Sequence, residues 1–176
     1  MVVSYTTELH ALADILKPWQ SLFSNSKVIS DGITFLHLAA LLFAGGFAIA
    51  ADRATFRALH GTPADRLALL REMKDVHRPV LMGLAALFAS GILLATADVE
   101  TFGTSPVFFV KMTLVAMLLI NGVALERTEE ALRELSASDS GTVADQPLWA
   151  KLRRTAIASM VLWTSIVLAG TILVNS

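Results

Sequence analysis

The chain contains no cysteine, which removes disulfides, thiolate metal ligands and cysteine nucleophiles together. Charge is also scarce: 16% of the 176 residues are Asp, Glu, Lys or Arg, where soluble domains carry about a quarter. The formal net charge is −1. Binding to nucleic acid needs a concentrated basic face, so that partner class is excluded. No nucleophile–base pair, phosphate-binding loop or zinc signature occurs, and the reading favours a protein that is not an enzyme. Proline is rare as well, with five in the chain. The opening "MVVSYTTELHALAD" has no basic segment ahead of an apolar core, so the first span is expected to serve as the targeting element.

What the sequence does have is oil. Hydrophobic residues make up 55% of it, and the mean hydropathy is +0.63. Four apolar runs, at about 32–51, 79–97, 105–125 and 155–174, each approach the ~20 residues that cross a bilayer core as a helix. None contains proline beyond its first turns. Lipid offers the backbone no hydrogen-bond partners, so helix is the default there. The expected fold is all-α: a transmembrane four-helix bundle in a single membrane domain, with the lipid bilayer as its first partner.

Basic residues set the expected orientation. Arg53, Arg57, Arg66, Arg71, Lys74 and Arg78 lie between the first two runs; Arg127, Arg133, Lys151, Arg153 and Arg154 lie between the last two. "DVETFGTSP", residues 98–106, has no Lys or Arg. By the positive-inside rule the loops at about 52–78 and 126–154 are cytoplasmic and both termini lie outside. Ahead of the first run, Leu9, Leu12, Ile15, Leu16, Trp19, Leu22 and Phe23 recur at helical spacing. They predict an amphipathic interfacial helix over about 5–24, with Trp19 at headgroup depth and Pro18 bending or breaking it. Its role is interfacial anchoring or, alternatively, a lid over the outer ends of the spans. The first loop reads as an extension of span one to Gly61. A second helix follows, capped by Thr62 with Pro63 at its first position, and kinks at Pro79. "ERTEEALREL" extends span three, with Glu129 and Arg133 spaced i,i+4. "SASDSGTVADQP", residues 136–147, reads as a polar linker.

Ionisable groups inside a membrane span are candidate functional groups by default. His37 is the first. Leu41, Ala44, Ala48 and Ala51 fall within about 40° of it around the helix; such a small-residue stripe marks a close helix contact and turns His37 inward. The alternative is a neutral imidazole hydrogen-bonded to a neighbouring hydroxyl or carbonyl. Lys111 lies at similar depth, about 8–9 Å below the outer boundary, facing either the bundle or, by snorkelling, the headgroups. Together they form the candidate site for a small ligand or cofactor, with His37 as the candidate metal ligand and Met112 as a sixth ligand to a haem. Asn121, nearer the cytoplasmic side, calls for a partner. His77 lies about 22 Å deeper than His37, too far to share one haem iron with it. Met82, Met112, Met117 and Met160 scatter in depth, which favours core filling over a copper site.

"FLHLAALLFAGGFAIAADRATFRAL", "HRPVLMGLAALFASGILLATAD" and "SPVFFVKMTLVAMLLINGVAL" resemble an uncharacterised four-span family of bacterial inner-membrane proteins. That family is similar to the copper-resistance protein D domain and, more widely, to b-type cytochrome membrane subunits. The resemblance covers roughly residues 30 to 125 and nominates His37, Lys111, Asn121 and Asp52. It implies residence in a bacterial inner membrane, with haem b in an electron-transfer subunit, or copper binding or transport. Departing from the cytochrome pattern, the chain has no second histidine within its spans. A structural accessory subunit, contacting a partner in a membrane complex or a second copy, is the remaining alternative.

Overall fold

The computed structural model describes residues 2–137 and 146–175, apart from the side chains of 2–9, 74, 75, 77, 137 and 174. Most of the expected 136–147 linker and the side chain of His77 therefore lie outside the described residues. The described residues form six helices and no strand: α1 (Val2–Asn25), α2 (Lys27–His60), α3 (Pro63–Ala97), α4 (Val99–Thr104), α5 (Pro106–Ala137) and α6 (Gln146–Val174). Helices α2, α3, α5 and α6 each contain a stretch long and apolar enough to cross a membrane. Their outward faces are apolar: Phe35, Leu42, Met82 and Ile120 are all more than 70% exposed. A surface of that kind suits lipid and not water.

Each expected helix is present, and the segment 98–106 between spans two and three holds a further short helix, α4, that the sequence reading did not include. Helices α1 and α3 run unbroken through Pro18 and Pro79. Proline removes one helical hydrogen bond and crowds the preceding turn, yet neither helix breaks there. The start of α3 has the local chemistry its sequence predicts. The Asp65 amide donates to Thr62 Oγ1 at 3.3 Å, and the Thr62 amide donates to Asp65 Oδ2 at 2.7 Å. These reciprocal bonds satisfy two of the donors orphaned at a helix start. They also hold the exposed Asp65 carboxyl below its usual value, chiefly through the Thr62 amide.

The long helices alternate in direction. One end of the bundle carries α1, α4 and the starts of α2 and α5; the other, the basic end, is where α2 turns into α3. Helices α2/α3 and α5/α6 pack extensively, α2/α6 joins the two pairs, and α3/α5 touch only sparsely. Close approach of α2 and α3 depends on Gly83, where an added Cβ would sit 2.9 Å from Ala44 Cβ and 3.2 Å from Ala44 Cα. Helix α6 approaches α2 through Gly45, whose missing Cβ leaves room for the Trp163 ring.

At the basic end the helices run beyond the apolar stretches and make a second core. Leu69, Leu70, Met73, Leu132, Trp149 and Leu152 are buried together there. Arg66 stacks on Trp149 at 5.4 Å, and its guanidinium donates to the Leu59 carbonyl. The i,i+4 pair is present, with Arg133 Nη2 3.2 Å from Oε2 of the fully buried Glu129. At the opposite end α1 packs on α3, α4 and α2. Trp19 Nε1 donates to the Leu93 carbonyl at 3.3 Å, Gln20 to the Thr96 carbonyl at 3.4 Å, and His10 Nδ1 lies 3.0 Å from Glu100 Oε1. The N-terminal helix is thus fastened to the bundle by polar contacts, while Leu12, Ile15 and Leu22 of its apolar pattern stay exposed.

Candidate functional site

The bundle's small-residue stripe brings His37 against α3, as its periodicity predicts. Its Nδ1 lies 3.0 Å from Ser90 Oγ, and Ser90, fully buried, also bonds the Ala86 and Leu87 carbonyls. The ring packs over Gly91, where a Cβ would come within 3.3 Å of His37 Cε1. Lys111 is half-buried and packs against α6: its Nζ would lie 3.6 Å from a Cβ at Gly170. Met112, by contrast, is 40% exposed.

His37 stands as a single imidazole: its Nδ1 is engaged by a serine whose hydroxyl is itself tied into α3, and the ring lies over Gly91. Among the described residues no three His, Asp, Glu or Cys side chains gather to hold a metal. Cu(I) wants several soft or imidazole donors converging.

The polar residues that do converge on open space lie lower in the bundle. Because α3 and α5 touch sparsely, a cavity of about 220 Å³ opens between their halves nearer the basic end, with α2 and α6 behind it. Its wall is mostly apolar, including Ala48, Leu84, Leu118 and Trp163, and Gly122 contributes bare backbone. Its polar groups are Asp52, Asn121, Ser159 and Glu126. Asp52 is 3% exposed, Ser159 hydrogen-bonds its carboxyl, and its Oδ2 is buried with no hydrogen-bond partner. Asn121 Nδ2 donates to the Thr155 carbonyl at 2.9 Å, so its amide oxygen remains to accept.

Of the expected site residues, Asn121 and Asp52, the latter nominated by the family resemblance alone, line this cavity; His37, Lys111 and Met112 do not. Ser159 is the residue that sequence reasoning passed over, and the helix pattern by itself did not single out Asp52. A signal was present, since Asp52 continues the Ala44–Ala48 stripe by one further turn. The helical extension of α2, which the sequence predicts as far as Gly61, carries Asp52 into the interior.

Comparison with family models, with curated proteins and with solved structures gave no match to the chain.

Proposed function

We propose that this multi-pass membrane protein is a non-enzymatic binder of a small ligand, held in the cavity between α3 and α5 beside Asp52. The observation that carries this reading is the unpartnered Oδ2 of a carboxyl that is 3% exposed and lines that cavity. Leaving a buried polar atom unsatisfied costs about 1–3 kcal/mol, and more for a charge. A ligand filling the cavity and bonding Asp52 offsets that cost. The volume, about 220 Å³, lies below the about 300–1,000 Å³ of pockets for drug-sized molecules, so the ligand is of roughly one-ring size. Entry is sideways, through the sparse α3/α5 contact.

The positive-inside rule supports the basic end in the cytoplasm and both termini outside; residence in a bacterial inner membrane rests on the family resemblance alone. The cavity then opens at the level of the cytoplasmic leaflet. His37 serves to join α2 to α3 through Ser90, and the His37–Lys111 level of the bundle is structural.

The test uses the detergent-solubilised full chain and a neutral bromoaromatic, para-bromobenzyl alcohol, whose bromine quenches tryptophan on contact. Saturable quenching is expected in the wild type, lost in Trp163→Phe, and strongly weakened in Gly122→Leu. An added Cβ at Gly122 meets nothing within 4 Å, so leucine there fills open cavity. Quenching that rises linearly in all three proteins, as for simple partitioning, would refute the site.

A further inference from the structure

We infer that the ligand class is an amphipathic monocation: a protonated amine on a compact apolar body, with its ammonium on Asp52 and its body against Trp163. This rests on the cavity being a ligand site and adds the chemistry it selects. Three observations lead to it.

The first is the sign of the lining. Among the described residues around the cavity there is no Lys, Arg or His, whereas Asp52 and Glu126 are both acids. An anionic ligand would meet only repulsion, weakly screened by the apolar wall.

The second is the kind of hydrogen bond left over. Oδ2 of Asp52 has no partner, and the Asn121 amide has one of its two N–H groups on the Thr155 carbonyl, with its oxygen left to accept. Both groups therefore present acceptors. A ligand that complements them must bring N–H donors, and an ammonium brings up to three. A bare metal cation is a poorer match, because Ca²⁺ or Mg²⁺ demands about six or more oxygen ligands.

The third is the distribution of polarity along the cavity. The carboxyl and amide lie towards the basic end, and Ala48, Leu84, Leu118 and Trp163 line the part deeper in the bundle. A molecule entering sideways from the headgroup region with its charge outermost would seat both ends at once. An ammonium–carboxylate bond in an apolar wall is stronger than either group's neutral hydrogen bonds.

The experiment displaces para-bromobenzyl alcohol from Trp163 with two isosteres, phenethylamine and phenethyl alcohol, at neutral pH. Phenethylamine, protonated there, is expected to displace the probe at about tenfold lower concentration than the alcohol, the factor expected from one charge-assisted hydrogen bond. In Asp52→Asn, which keeps the shape, that preference of amine over alcohol is expected to vanish. Asp52→Glu is the second variant and is expected to retain the preference, which separates loss of charge from misfolding. If the probe quenches saturably but amine and alcohol compete equally in the wild type, the cation inference is overturned and the cavity stands. An amine preference that survives in Asp52→Asn overturns it as well. If no saturable quenching occurs at all, the cavity reading fails and takes this inference with it.

Discussion

Replacing Gly83 by alanine probes the contact on which the whole bundle geometry depends. A Cβ there would sit 2.9 Å from Ala44 Cβ, 3.1 Å from Phe43 Cδ1 and 3.2 Å from Ala44 Cα. Carbon atoms in contact prefer about 3.5–4.0 Å, so the nearest pair falls about 0.6 Å short. Phe43 is exposed and its ring can turn away, but Ala44 has neither reach nor rotamer to yield, so the helices must move apart. Overpacking of this size costs about 1–3 kcal/mol. Alanine recovers about 0.5–1 kcal/mol as the better helix former. A net loss of up to about 2.5 kcal/mol remains, and the same shift loosens the His37–Ser90 bond further along the α2/α3 interface. The control is Gly46→Ala, where an added Cβ meets nothing within 4 Å and only the helix gain applies. Unfolding of both variants by SDS titration in mixed micelles, followed by circular dichroism, gives the comparison. Gly83→Ala is expected to unfold first by a clear margin and Gly46→Ala to match or exceed the wild type. Equal midpoints for the two variants would mean that α2 and α3 do not approach as described.

The remaining expectations concern single contacts. Ser90→Ala leaves His37 Nδ1 without its partner and is expected to cost about 1 kcal/mol, most of it recovered in the Ser90→Ala, His37→Leu double variant; a double-mutant cycle of unfolding free energies measures it. Lys111→Met is expected to leave Trp163 quenching by the bromoaromatic unchanged, because Lys111 packs on Gly170 and does not line the cavity; a lost signal would return Lys111 to the site. The cap at the start of α3 carries a pH dependence. Asp65 sits below its ordinary value of 3.8 in the folded protein, so its stabilisation is complete above that value and is lost as pH falls through the lowered one. Amide exchange in the first turn of α3 is expected to speed up in that acid window, and Asp65→Asn to be insensitive there.

Sequence made the membrane fold legible because each signal behind it is local. Twenty-residue apolar runs, the Thr62–Pro63–Asp65 start and the i,i+4 Glu129–Arg133 pair each act within a turn or a span. The inward turn of His37 was also readable, since a small-residue stripe needs only one helix to be recognised. What it met there, Ser90, was not, because registers between helices depend on contacts such as Gly83 with Ala44 that lie far apart in the chain. The cavity was hidden for the same reason. It exists because α3 and α5 touch less than the other neighbouring pairs, a property of four helices together. Asp52, at the edge of an apolar run, was singled out by the family resemblance and not by the helix pattern; its burial belongs to the continuation of α2 to His60, beside the basic-end extensions of α3 and α6.

The account stands on one place in the molecule, the space between α3 and α5 beside Asp52. The bromine of para-bromobenzyl alcohol can be located there directly, from its anomalous scattering in crystals of the full chain soaked with the compound. The expected result is a single strong peak inside the cavity, against Trp163 and Gly122, that disappears in Gly122→Leu. Bromine found only on the lipid-facing surface, or beside His37 and Lys111, would contradict it.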